Sequence, residues 1–307
     1  MRTRVGEPTA AHFARGKTPI FASQYDQRLG YCLYVPENLR TDRAPLLVMQ
    51  HGTERNASLY RDHMAEFAAE HQAVVLAPLF PAGIIDPGDL HNFKFIEYQG
   101  IRYDQALLAI VDEISERYPV EPETFYLHGF SGGGQFAHRF LYLHPERLAA
   151  VSIGAPGRIT QLDDSLPWWL GTADFEQRFG RAIDLDALRR VPVLMVVGDN
   201  DIDTWEIDNP GESNWMAGVE KTGGTRIERL RTLERDFIAQ GIDVRFELVP
   251  GVAHRGSLVL PAVRDFFAGV LRSRLRTSSA ERASPQHLAV RSESAPGPAN
   301  PTPARPL

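Results

Sequence analysis

The sequence predicts an α/β fold: a doubly wound, mostly parallel sheet with a short cap insertion at about residues 155–190 and a disordered C-terminal tail. Three observations carry this reading. Short apolar runs rich in β-branched residues alternate along the chain with segments of helical period. The runs are apolar at nearly every position, as strands must be when helices cover both faces of a sheet. The last 32 residues, Arg276 to Leu307, hold six prolines and no aromatic residue, so they bury too little apolar surface to offset the entropy of ordering.

Taken in order, residues 30–36 and 45–52 read as strands, followed by a helix from about Ser58 to His71. Residues 73–80 read as a strand, Arg102–Tyr118 as an amphipathic helix, and residues 124–130 as a strand. Gly132–His144 is a helix entered through glycines. Residues 149–154, 191–198 and 243–250 complete the strands, with helices near 225–240 and 261–273. The domain reading is one unit, 1–275, and a proline-rich tail, 276–307. The stretch 296–306 could form polyproline II and bind a partner, and a passive tail is the reading preferred.

Hydrophobic residues make up 43% and charged residues 23% of the 307, which excludes a collagenous, coiled-coil or wholly disordered chain. A net charge of −6 with no long basic run argues against a nucleic-acid partner. Cys32 is the single cysteine, so neither an intramolecular disulfide nor a zinc site of several thiolates can form. The N-terminal residues hold no apolar signal segment, and no run approaches the roughly 18 apolar residues of a membrane span. A soluble, cytoplasmic protein with no membrane partner is therefore expected; nothing in the sequence sets its oligomeric state.

The most specific signal is Gly129-Phe130-Ser131-Gly132-Gly133, a G-x-S-x-G between a predicted strand and a predicted helix. A strand turning sharply into a helix exposes its serine, and the flanking glycines leave room for the turn. Neither a dinucleotide nor a P-loop pattern is present. A serine hydroxyl needs a base, and the base an orienting acid. His254 follows the last predicted strand, where Pro250 and Gly251 end it and present the ring at the sheet's carboxyl edge. His128, directly before the elbow, is the lesser candidate. After the strand at 191–198 come Asp199, Asp201 and Asp203; Asp201 is preferred because Asp199 is placed to cap the turn, with Asp203 and Asp199 kept as alternatives.

The order Ser131, Asp201, His254 resembles that of serine hydrolases of the α/β-hydrolase fold. The resemblance covers about residues 30–275, and the cap segment then follows the sixth strand as that fold counts its strands. Within it, Leu127-His128-Gly129-Phe130-Ser131-Gly132-Gly133-Gly134 is similar to the polyhydroxybutyrate-depolymerase-like and feruloyl-esterase-like carboxylesterases, and to dienelactone-hydrolase-like enzymes. Ser131 speaks against the dehalogenases and epoxide hydrolases, which carry aspartate there. The resemblance matches Gln50-His51-Gly52-Thr53 to the family's His-Gly segment, implying an oxyanion hole from the Thr53 and Gly132 N–H groups. The Thr53 hydroxyl is either a third donor or a loop cap. The segment is not H-G-G-G, so the substrates of hormone-sensitive-lipase-like esterases are not implied.

Trp168, Trp169, Trp205 and Trp215 all fall in the two long segments after the strands ending near 154 and 198. One or two of them, with Phe130 of the elbow, are expected to line an aromatic pocket, the rest anchoring loops. His91, Asn92, Tyr98, Arg102, Tyr103 and Asp104 either position a substrate's polar end or are ordinary loop and helix-start residues. The expected function is cleavage of a small to medium apolar or aromatic carboxylic ester through an acyl-enzyme, with no metal and no organic cofactor. The alternatives are a peptidase or amidase of the same fold and, from a different class, a non-enzymatic receptor or scaffold.

Overall fold

The computed structural model describes residues 14–283 except Glu206, Asp208 and Ser213. Internal contacts divide the chain after Ala268. The first unit holds the main sheet, whose nine strands are β1 (Gly16–Lys17), β2 (Phe21–Ala22), β3 (Gly30–Val35), β4 (Leu46–Gln50), β5 (Val74–Leu79), β8 (Phe125–Phe130), β9 (Leu148–Gly154), β10 (Val193–Gly198) and β11 (Val244–Val249). A separate two-stranded hairpin joins β6 (Glu97–Tyr98) to β7 (Ile101–Arg102). The order across the sheet is β1-β3-β5-β4-β8-β9-β10-β11, with β2 also on β3. From β5 to β11 every pairing is parallel, and β1, β2 and β3 are antiparallel additions at one edge.

The sequence reason for this sheet is plain in its middle. Strands β4, β8, β9 and β10 are buried at every position, which requires helices over both faces and explains why their residues do not alternate. At the edge, β11 is only partly buried, and Phe246 there lies under the Arg231 guanidinium. The helices are α1 (Ala57–Glu70), α2 (Tyr103–Ser115), α3 (Gly132–Leu143), the short α4 (Phe175–Phe179) and α5 (Leu185–Leu188), α6 (Arg226–Ala239) and α7 (Gly256–Ala283). Thr225 and Glu228 form a reciprocal capping box at the start of α6. All of α3 is buried, so its amphipathic period is lost to packing by Phe136, Phe140 and Leu141.

Two boundaries differ from the sequence expectation. Helix α7 begins at Gly256 rather than near 261, because Pro261 falls early enough in the helix to remove one hydrogen bond without stopping it. It also runs to Ala283, beyond the boundary at 275. The segment 276–283 has no proline and contains Ala280, Glu281, Arg282 and Ala283, good helix formers. Residues 284–307 of the expected tail lie outside the described residues. The two-residue strands β1, β2, β6 and β7 are too short to show any period.

Candidate active site

The serine of the elbow is held by backbone geometry. Ser131 has φ 57° and ψ −117°, a conformation that L-residues adopt only under constraint. Its N–H donates to the Gly154 carbonyl at 2.9 Å. The neighbours must be glycine because backbone crosses where side chains would stand. A Cβ on Gly129 would lie 2.1 Å from the Gly133 oxygen, and one on Gly133 would lie 2.4 Å from the Gln50 oxygen. The serine therefore sits at the positive end of α3, where a developing negative charge is favoured.

Asp201 and His254 come from loops that are stitched together. Asp199 N–H donates to the Val249 carbonyl at 3.1 Å and Asn200 N–H to the Val252 carbonyl at 3.0 Å. Asp199 Oδ1 accepts from Gly251 N–H at 2.7 Å. Gly198 is closest of all, since a Cβ there would stand 1.9 Å from the Val252 oxygen. This join delivers His254 Nδ1 to Asp201 Oδ2 at 2.6 Å and His254 Nε2 to Ser131 Oγ at 3.0 Å. Asp201 is buried, whereas Asp203 is exposed at its side chain. Of the three carboxylates, Asp201 meets the histidine, and Asp199 is occupied with the turn.

A residue that sequence reasoning missed completes the acid loop. Arg226, fully buried at the start of α6, donates to Asp201 Oδ1 at 3.3 Å, to the Asp203 carbonyl at 3.0 Å and to the Trp205 carbonyl at 2.8 Å. It lies 25 residues from Asp201, and a helix-start arginine carries no sequence signal for such a role.

Thr53 and Gly132 lie close together: a Cβ on Gly132 would stand 3.3 Å from Thr53 N. His51 sets that loop. Its Nε2 accepts from Phe80 N–H at 2.9 Å, so its Nδ1–H is free to donate to the Gly52 carbonyl at 2.8 Å. Burial pushes the His51 pKa down to about 3. His128 is likewise driven to about 3 by burial and contacts Ser152 Oγ at 3.0 Å, away from the serine it precedes. These two rings stay neutral when folded and bind protons near 6.5 when unfolded. The unfolded chain thus holds more protons below that value, and stability falls as pH falls. We expect the urea midpoint at pH 5 to lie clearly below that at pH 7, with stability lower by about 4 kcal/mol for two such histidines. Equal midpoints would contradict the buried, neutral rings.

The cleft above Ser131 encloses about 500 Å³ between Gly52, Thr53, Leu59, Tyr60, Phe130, Trp205 and His254, with Glu54, His63 and Arg255 also on its wall. Phe130 and Trp205 flank the histidine, at 4.9 and 5.8 Å between ring centroids. The pocket expectation is corrected for the other tryptophans. Trp168 is buried against Phe175 and Phe179. Trp169 is buried on Phe95 and donates its Nε1–H to the Asn214 carbonyl at 2.9 Å. Trp215 is half-buried in the loop after β10 and does not line the cleft. Large indoles anchor long irregular segments where no regular element supplies a core.

Asp104, also expected as a possible substrate contact, is buried on Arg102 (2.7 Å) and His144 (2.8 Å). Burial raises its pKa, but hydrogen bonds from His144 and Arg102 outweigh this and hold it at about 2. Tyr103 packs on Phe80, and Asn92 donates to the Pro81 carbonyl at 2.7 Å; both serve the fold. Among the described residues no helix is long and apolar enough to cross a membrane.

Known proteins share this architecture. The structure of poly(aspartic acid) hydrolase-1 from Sphingomonas sp. KT-1 superposes with a TM-score of 0.68 at 20% identity, covering 82% of this chain and 98% of that one. LpqC, a poly(3-hydroxybutyrate) depolymerase from Bordetella parapertussis, gives 0.62 at 25% identity over 78% and 84%. A ferulic acid esterase gives 0.56 at 15% identity over 83% and 96%. Among curated proteins, 122 residues, 39% of the chain, are 25% identical to the bifunctional acetylxylan esterase/xylanase XynS20E of Neocallimastix patriciarum. The chain spans 17% of that relative's length. No family model matches the chain. The fold is that of the α/β-hydrolases, and the neighbours are esterases and hydrolases.

Proposed function

We propose that this chain is a serine hydrolase of carboxylic esters. The observation that carries the reading is the hydrogen-bonded line from Asp201 through His254 to Ser131, at 2.6 and 3.0 Å, ending at a serine held in constrained backbone beside two main-chain N–H groups. In this reading Ser131 Oγ attacks the ester carbonyl carbon while His254 Nε2 takes its proton. Asp201 accepts from Nδ1–H and compensates the imidazolium charge. The Thr53 and Gly132 N–H groups hold the tetrahedral oxyanion. His254 then gives its proton to the departing alcohol, and the resulting acyl-enzyme is released by a water that His254 deprotonates. This chemistry calls on no metal or organic cofactor.

The cleft wall favours a small to medium acyl or aryl ester. Leu59, Phe130 and Trp205 give it apolar surface, and Trp205 is 55% exposed although its main chain is fixed by Arg226. An indole so placed offers a face for an aromatic or alkyl group. The likeness to LpqC and to a ferulic acid esterase supports an ester. A second reading, an amidase, is supported by the likeness to poly(aspartic acid) hydrolase-1, whose polymer is joined by amide bonds.

The deciding measurement compares p-nitrophenyl esters from acetate to octanoate with the matching p-nitroanilides on the purified chain. We expect ester kcat/KM to exceed anilide kcat/KM by about 10²-fold or more, with the optimum at a short or medium acyl group. Faster cleavage of the anilides would establish the amidase instead. No turnover of either, with no labelling by a fluorophosphonate, would mean a binding protein that keeps the fold without the chemistry.

A further inference from the structure

Lys94 lies beside Gly132 and Thr53. It belongs to a single 3₁₀ turn, Asn92–Phe95, which is tied into the body by the rings of Phe93 and Phe95: Phe93 packs on His51 at 4.8 Å and Phe95 on Trp169 at 5.3 Å. Lysines are almost never buried without a purpose for the charge, and this one is 1% exposed. Its stem crosses the first residue of α3. A Cβ on Gly132 would stand 2.8 Å from Lys94 Cε and 3.4 Å from Lys94 Cδ, and 3.3 Å from Thr53 N. The lysine stem and the Thr53 nitrogen thus border one small volume, and glycine at 132 is what leaves room for them.

One bond beyond Cε, the ammonium donates to His91 Nδ1 at 2.9 Å. His91 Nε2 faces Glu212 Oε2 at 3.5 Å, and Glu212 accepts from Arg158 at 2.5 Å. Burial first, and then the charge of Lys94, push the His91 pKa down to about 3, so the ring is a neutral acceptor for the lysine. Arg158, Glu212, His91 and Lys94 form a continuous line that fixes where the ammonium stands. Arg55 and Arg139 add positive charge nearby: Arg55 lies over the Phe93 ring and Arg139 donates to the Lys94 carbonyl at 2.6 Å.

We infer that Lys94 is a positioning and electrostatic residue of the hydrolysis, its fixed positive charge lying close to Gly132 and Thr53 and stabilising the oxyanion that their N–H groups hold. The inference rests on the ester-hydrolase reading of the site. A charge in a buried setting acts across several ångströms that water would screen at the surface. The neutral ester gains little from it, whereas the tetrahedral oxyanion gains as its charge develops, so the effect belongs to kcat and not to KM. Lys94 makes no bond to the substrate in this account; it acts by its charge on the oxyanion.

The test uses Lys94→Met, which keeps the stem and removes the charge, beside Lys94→Arg, each as the full chain with p-nitrophenyl butyrate. Two inhibitors are added: an arylboronic acid, which becomes a tetrahedral anion on Ser131, and the neutral butyramide of the same aryl group. We expect Lys94→Met to lower kcat on the order of 10- to 100-fold with KM within about twofold. Boronate affinity should fall by a similar factor, butyramide affinity should hold, and Lys94→Arg should recover much of the loss. The inference is overturned if Lys94→Met keeps kcat within about twofold, if KM rises at constant kcat, or if Lys94→Arg is no better than Lys94→Met. Should Lys94→Met fail to fold, Lys94→Gln, which retains a hydrogen-bond donor, supplies the same comparison. A wild-type chain that neither turns over ester nor takes fluorophosphonate on Ser131 would remove the site reading itself, whereas an active wild type with an equally active Lys94→Met removes this inference alone.

Discussion

Ser131→Ala should abolish ester turnover while leaving the melting curve nearly unchanged. The substitution removes one hydroxyl whose partner is His254 Nε2 at 3.0 Å and takes no volume from the core. Alanine meets the same constraint at φ 57° as serine does, since both carry a Cβ. The backbone bonds that hold the elbow, Ser131 N–H to Gly154 and Gln135 N–H to the Ser131 carbonyl, do not involve the side chain. The expected loss in kcat is on the order of 10³-fold or more, leaving what the oxyanion donors and binding alone supply. The check is steady-state hydrolysis of a p-nitrophenyl ester, together with peptide mapping of a fluorophosphonate adduct on the wild type. A variant retaining a tenth of the activity, or an adduct on another residue, would show that the nucleophile lies elsewhere.

The sequence carried the middle of this structure because burial leaves a local record. Strands such as 193–198 are apolar at every position since both faces are covered, and that pattern is visible without knowing the neighbours. Ser131 was equally legible, because the main-chain crossings at Gly129 and Gly133 permit no side chain and so stamp glycine into fixed places. His254 is read from its place after the last strand, and the structure sets its Nε2 3.0 Å from Ser131 Oγ. What could not be read depends on where distant residues land. Trp168 and Trp169 look like pocket residues in a segment that emerges at the sheet's carboxyl edge, yet phenylalanines at 95, 175 and 179 fold over them. No periodicity records such a cluster.

The charged supports were illegible for a related reason. Arg226 opens a helix and looks like a solvated first-turn residue, but it is buried beside Asp201. Removing one partner of such a pair would strand a buried charge, which typically costs about 3–5 kcal/mol, so position 226 is tied to the acid although nothing in its sequence neighbourhood says so. Lys94 is similar: its stem borders Gly132, and its partner His91 in turn faces Glu212, so the line joins three separate segments. An ion pair's sequence spacing is set by the topology, and the topology is not written locally.

The acid loop yields the second large effect, because its three carboxylates have been given three different surroundings. Asp201→Asn should reduce kcat by roughly 10⁴-fold, the scale seen when a triad carboxylate becomes an amide. Asp201 uses Oδ2 for His254 and Oδ1 for Arg226. An asparagine that turns its NH₂ toward His254 forces Nδ1 to accept, puts the remaining proton on Nε2, and leaves Ser131 without a base. One that turns its NH₂ toward Arg226 sets donor against donor, and in either case no charge remains to balance the imidazolium. Asp199→Asn keeps an oxygen for Gly251 N–H, which it receives at 2.7 Å, and should stay within about threefold of wild type. Asp203→Asn should be neutral, since Arg226 binds the carbonyl of that residue and not its exposed carboxylate. The three variants are measured in parallel for kcat with one ester, each with its melting temperature. A deepest loss at Asp203 or Asp199, with Asp201→Asn folded and active, would move the acid along the loop and break the link between the 2.6 Å contact and the base it is proposed to orient.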